Sequence, residues 1–94
     1  MYIRLVRLTE NAKRNVNRIS DMLAEARRIT EANGVKIVEG YSTLGRYDLV
    51  AVWEVPDDAA AMKASAMVAK AGNLVGETLT AFKVDDFAKA VSKK

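Results

Sequence analysis

Cysteine and histidine are both missing from this 94-residue chain, and proline occurs once. Without thiols or imidazoles no disulfide can staple the fold, and the most familiar zinc, haem-histidine, thiol-nucleophile and imidazole-base chemistries are excluded. No metal and no cofactor is expected. No apolar run approaches the roughly 20 residues that cross a bilayer. The opening Met1-Tyr2-Ile3-Arg4-Leu5 lacks the basic region, apolar stretch and cleavage site of a secretory signal, so the expected location is cytoplasmic, with no membrane partner. Charge of one sign is also scarce. Fifteen Lys and Arg stand against twelve Asp and Glu, a net +3 that is interleaved along the chain and partly placed at Lys93-Lys94. That pattern reads as solubility, and no nucleic acid is expected as a partner.

Half of the residues are hydrophobic and 29% are charged, a globular composition for one domain over residues 1–94. A chain of this size hides only about 60–65% of its unfolded surface. Any second apolar surface therefore matters to its stability.

Tyr2 to Leu8 is rich in strand formers and reads as a first strand, with Thr9 as a helix cap. From Glu10 to Asn33, Ala12, Val16, Ile19, Leu23, Ala26 and Thr30 recur at steps of four and three, the stripe of an amphipathic helix. Asn33-Gly34 ends it, and Ser20-Asp21 offers a second cap at which it could break. Val35 to Leu44 and Asp48 to Val55 read as strands joined by Gly45-Arg46-Tyr47, a hairpin connection. Pro56-Asp57-Asp58 stops the strand and caps a second helix running to about Ala71, with Ala60, Ala64, Met67, Val68 and Ala71 near one face. Gly72-Asn73 closes it. Leu74 to Lys83 reads as a fourth strand, and Asp85-Asp86-Phe87 starts a short terminal helix with a frayed lysine tail.

The order strand, helix, strand, strand, helix, strand is the split βαβ arrangement of ferredoxin-like α+β folds: a four-stranded antiparallel sheet with both long helices on one face. Helices about 10 Å wide cover one side of strands about 4.8 Å apart and leave the other side bare. A wet face should alternate with polar residues. Here it does not. Leu49, Ala51, Trp53 and Val55 point one way while Val50 and Val52 point the other; Ile3 and Leu5 oppose Val6 and Leu8; Val38 and Leu44 oppose Ile37 and Tyr41. Covering about six such side chains could contribute on the order of 15 kcal/mol as an upper bound. The expectation is a homodimer whose sheets face one another as a dimeric α/β barrel, with higher homo-oligomers open, and with cover by the chain's own terminal helix as the alternative.

The hairpin reads Gly40-Tyr41-Ser42-Thr43-Leu44-Gly45-Arg46-Tyr47-Asp48-Leu49-Val50. With Leu8-Thr9, Pro56-Asp57-Asp58 and Glu77-Thr78-Leu79, it resembles the GYD domain family from Tyr2 to about Phe82, most specifically at Thr-Leu-Gly-x-Tyr-Asp. The resemblance implies a dimeric α+β barrel and carries no settled activity. Relatives often hold Gly and Pro where Ala12 and Ser20 stand here, which implies a first helix that is more continuous in this chain.

Tyr41, Arg46, Tyr47, Asp48, Arg4 and Glu39 form the candidate ligand-binding set, because they are polar or aromatic residues held on strands or at the hairpin. The competing reading makes Gly45 a sharp turn, Tyr47 a ring on the sheet with its hydroxyl on a polar partner, and Asp48 an acceptor of backbone N–H bonds or a partner of Arg46. Arg4 could pair with Glu39 or Glu54. Trp53 follows the parity of Leu49 and Val55 and is expected in the core.

Three functions remain open. A small-molecule-binding or sensing module comes first, since the hairpin also resembles ligand-binding domains of leucine-responsive-type regulators. A cofactor-independent enzyme, by fold analogy with small monooxygenases, would draw its acid or base from Glu39, Asp48, Glu54 or Glu77, with Tyr41 or Tyr47 as a hydrogen-bond donor. An assembly protein would use the Arg14, Arg18, Arg27 and Arg28 group or the sheet edges, although that group also reads as a solvated helix face.

Overall fold

Residues 1–92 are described in the computed structural model. They form β1 (Tyr2–Leu8), α1 (Glu10–Arg14), a 3-10 turn (Val16–Arg18), α2 (Ile19–Ala32), β2 (Lys36–Ser42), β3 (Leu49–Glu54), α3 (Asp58–Lys70), β4 (Leu74–Thr80) and α4 (Val84–Ser92). The lysine tail expected to fray, Lys93-Lys94, lies outside the described residues. The strands make one antiparallel sheet in the order β2-β3-β1-β4. With the long helices on one side, this is the ferredoxin-like arrangement.

Thr9 caps α1 as expected, accepting a hydrogen bond from the Ala12 N–H at 3.2 Å. Its own hydroxyl donates to the Gly72 carbonyl at 2.7 Å and its N–H to the Asn73 carbonyl at 3.0 Å, which ties the start of the first helical segment to the α3–β4 turn. Asp57 caps α3 through the Ala60 N–H at 2.8 Å.

The first helical region is not continuous, and its break falls at Asn15 rather than at Ser20-Asp21. Asn15 leaves helical geometry at φ −118°, ψ 32°, and its side-chain amide donates to the Asn11 carbonyl. Asparagine competes for backbone hydrogen bonds in this way and so interrupts helices. Beyond the interruption Ala26 and Thr30 keep the expected side of the stripe. Ala12 and Thr30 are buried, whereas Val16 and Leu23 are exposed, and Ile29 joins the core instead. In α3 the buried face is Ala61, Ala64 and Val68; Met67 and Ala71, expected on it, are exposed.

Tyr2, Arg4, Val6 and Leu8 of β1 face the helices together with Leu49, Ala51 and Trp53 of β3. Ile3, Leu5, Val50 and Val52 face the other way, as the alternation predicts. In β2 a bulge shifts the register between Ile37, opposite Trp53, and Glu39, opposite Val52. Ile37 therefore packs toward the helices while Tyr41 points to the open face, correcting the expectation that they share a side. Val38 and Leu44 are exposed.

The helix-facing side holds two apolar clusters. Val6, Val68 and Leu74 make one, with Leu8, Ala26, Ile29 and Leu49 packed on it; Val35, Trp53 and Ala64 make the other, with Tyr2, Ile37, Ala51, Val55 and Ala60. Arg4 lies between Tyr2 and Val6 on the same face of β1. The terminal helix starts a residue earlier than expected and does not fold over the open sheet face. Val84, Phe87 and Val91 stay exposed on it. The radius of gyration is 14.7 Å, against about 12 Å for a compact domain of this length.

Gly76 pairs with Val6 where β4 lies against β1. A Cβ there would overlap the Leu5 carbonyl oxygen and stand 3.1 Å from Val6 Cα, both rigid backbone. Gly76→Ala should lower stability by about 1–3 kcal/mol, read as a lower urea midpoint. An unchanged midpoint would show that the two strands have slack at this position.

Candidate functional site

The hairpin motif works first as a clamp. Gly45 takes φ 120°, a conformation that disfavours any side chain, and so turns the chain between β2 and β3. Asp48 then donates its N–H to the Val6 carbonyl and accepts the Leu8 N–H on Oδ2, both at 2.8 Å. The carboxylate thus extends the β1 ladder beyond the last β1–β3 pair, Val6 with Leu49. Thr43 closes the loop by donating its hydroxyl to the Tyr47 carbonyl at 2.7 Å and its N–H to the Asp48 carbonyl at 2.9 Å.

Tyr47 extends over the open face, where its hydroxyl donates to Glu77 Oε1 at 2.7 Å and the Arg7 guanidinium lies 5.3 Å from its ring centroid. This cation–ring contact and hydrogen bond join β1, the hairpin and β4. Glu39 and Tyr41 occupy the same face on β2. The neighbouring Glu39 carboxylate, as a hydrogen-bond acceptor and then through its charge, raises the Tyr41 phenol above its ordinary pKa. Arg46 is exposed and, among the described residues, pairs with no carboxylate.

Arg4 lies on the opposite side of the sheet. It is only 2% exposed, and its Nη1 donates to Ser65 Oγ on α3 and Thr78 Oγ1 on β4, both at 3.0 Å. The guanidinium carbon stands 4.9 Å from the Trp53 ring centroid. Its Nε is buried without a hydrogen-bond partner, and among the described residues no carboxylate pairs with it. Burial lowers its pKa from the ordinary arginine value. The expected Arg4 ion pairs with Glu39 or Glu54 are therefore not formed: Arg4 points to the helices, whereas Glu39 points to the open face.

Beside Arg4 a cavity of about 340 Å³ runs between α2 and the sheet toward the β2 edge. Its walls include Val6, Leu23, Ala26, Ile37, Trp53, Val68 and Leu74, with Thr30, Tyr41 and Ser42 as polar members and Arg27 beside them. The space has a local cause. Gly40 pairs with Ala51 across β2 and β3, and Ala26 faces them from α2, so three small residues meet where larger ones would fill the layer. A cavity of this size with mostly apolar walls and a few polar groups suits a small organic ligand.

The candidate residues thus divide. Tyr47 and Asp48 hold the hairpin, Glu39 and Tyr41 flank it on the open face, Arg46 stands apart, and Arg4 belongs to the cavity, whose edge Tyr41 also reaches. Ser65 and Arg7 are not singled out by the sequence, Thr78 enters there only within the Glu77-Thr78-Leu79 resemblance, and Arg27 only within an arginine group read as an assembly or solvated face. Arg4 carried a legible signal, because it shares parity with Val6. Ser65 and Thr78 carried none, since their meeting depends on how α3 lies on β4.

The model of the GYD domain family matches residues 2–91. No curated protein and no solved structure matches the chain significantly.

Asp48→Ala should lower stability by about 1–3 kcal/mol because it strands the Leu8 N–H, whereas Tyr47→Phe should cost under about 1 kcal/mol. Chemical denaturation of both variants checks this order. A milder effect at Asp48 than at Tyr47 would mean that the ladder extension is not what holds the hairpin.

Proposed function

The chain belongs to the GYD domain family, and on that premise we propose that it is a homodimeric small-molecule-binding or sensing module. The cavity beside Arg4 carries the reading. The space of about 340 Å³ opens to solvent on one side and presents mostly apolar walls to it. A ligand that covers those walls removes apolar surface from water, at roughly 25 cal/mol per Å².

The dimer rests on the open sheet face. Strands of six or seven residues at about 3.3 Å per residue, four of them about 4.8 Å apart, make a face of roughly 400 Å² in plan. Ile3, Leu5, Val50, Val52, Val75 and Leu79 supply apolar groups to it, and the chain's own α4 does not cover them. Apolar patches on a face of that size are often functional. A second copy is the occupant that fits, since Arg7 and Glu77 place both signs of charge on the face and a two-fold axis can set them against each other.

Two measurements test these elements. Trp53 is the only tryptophan and lines the cavity. Its fluorescence and the melting temperature should respond saturably to some member of a panel of amino acids and aromatic metabolites, and Ala51→Leu, which fills the space, should abolish the response. A panel without any response, or a response that survives Ala51→Leu, counts against the cavity as the site. Sedimentation should give a dimer at micromolar concentration, and Val52→Glu should give a folded monomer. A wild-type monomer would remove the paired-sheet arrangement.

A further inference from the structure

The charge inside the cavity deepens the binding reading and rests on it. Its ionisable lining residues other than Tyr41 are Arg4 and Arg27, with no Asp or Glu among them. Arg27 is exposed and already lies 3.7 Å from Glu31. Arg4 is buried, and its hydroxyl partners Ser65 and Thr78 are neutral. A buried cation without a counter-charge is costly, and proteins ordinarily place a carboxylate against it.

Both hydrogen bonds of Arg4 use Nη1. Nε has no partner, and among the described residues none is recorded for Nη2. In a planar guanidinium, Nε and Nη2 donate along one edge, the edge that grips a carboxylate with two parallel bonds. Trp53 lies against the guanidinium and holds its plane, while Ser65 and Thr78 anchor the far end. Nε is closed off from water as well as unpartnered, so a carboxylate reaches this edge as the layer beside Trp53 opens around it.

We propose that the cavity binds an organic monocarboxylate with an apolar body, the carboxylate on the free Nε edge of Arg4 and the body among Leu23, Ala26, Ile37 and Trp53. The apolar walls exclude a small, fully hydrated anion as the natural fit, because such an ion would lose its water along surfaces that return no hydrogen bonds. A neutral ligand of the same shape would leave Arg4 as it is, without its counter-charge.

The test compares octanoate with octan-1-ol, and both with inorganic sulfate, by Trp53 fluorescence titration and calorimetry on the full chain. Octanoate should bind roughly 10–100-fold more tightly than octan-1-ol, the range expected for hydrogen bonds to a charged group. Arg4→Met should bring the two to equal affinity. That variant is expected to fold, because it removes an unpaired charge and leaves no carboxylate behind. Should it fail to fold, Arg4→Lys keeps the charge but lacks the two-donor edge, and it should lose most of the preference for octanoate. Equal binding of octanoate and octan-1-ol to the wild type would overturn the carboxylate assignment and leave the cavity a binding site. Sulfate binding as tightly as octanoate would overturn it by showing that the apolar walls add nothing. No binding of octanoate, alongside a different saturable ligand from the wider panel, would likewise overturn it; silence from every compound would remove the binding reading itself.

Discussion

A guanidinium buried without a carboxylate is the constraint around which the helix-facing layer is organised. Arg4 separates the Val6–Val68–Leu74 cluster from the Val35–Trp53–Ala64 cluster. It reaches α3 through Ser65 and β4 through Thr78, so one charged side chain links three elements at the middle of the layer. An aliphatic residue at that position would join the two clusters into a single core. The chain instead keeps a desolvated cation, two hydroxyls and a tryptophan ring together beside empty volume. That combination resembles a site more than a packing solution, since packing alone is better served by apolar groups.

The two sides of the sheet divide the work. Small residues on the helix side, Gly40, Ala51 and Ala26, border the cavity, and the bulge in β2 turns Glu39 to the open face and leaves Tyr41 at the cavity's edge. The hairpin that gives the family its most specific sequence lies at one end of the sheet. There Asp48 and Tyr47 bind it to β1 and β4 through short hydrogen bonds. Its residues explain themselves structurally: glycine for the positive φ, tyrosine for reach across the open face, aspartate for the Leu8 N–H. The motif and the cavity therefore sit in different parts of this fold.

Much of the architecture is legible in one-dimensional pattern. Alternation in β1 and β3 predicts their faces correctly because a strand's period of two leaves no freedom once one residue is placed. Caps at Thr9 and Asp57 are equally local, each a side-chain oxygen serving an N–H three residues on. Reading fails where a local competition intervenes. Asn15 breaks the first helical region through its own side-chain hydrogen bond and leaves Val16 exposed, while Ala26 and Thr30 beyond it keep the expected side and Ile29 joins them. The β2 bulge turns Tyr41 over, because one extra residue reverses the side on which every later residue falls.

By itself the sequence determines the order of elements, the double-sided apolar sheet, the turn glycine of the hairpin and the exclusion of thiol and imidazole chemistry, because each follows from neighbours within a few residues or from composition. Only the tertiary structure decides that Arg4 meets Ser65 and Thr78, residues 61 and 74 positions away, while among the described residues no carboxylate pairs with it. Such meetings depend on how a helix settles across a twisted sheet. The cavity is of the same kind, since it lies where α2, β2 and β3 bring Ala26, Gly40 and Ala51 to one lining.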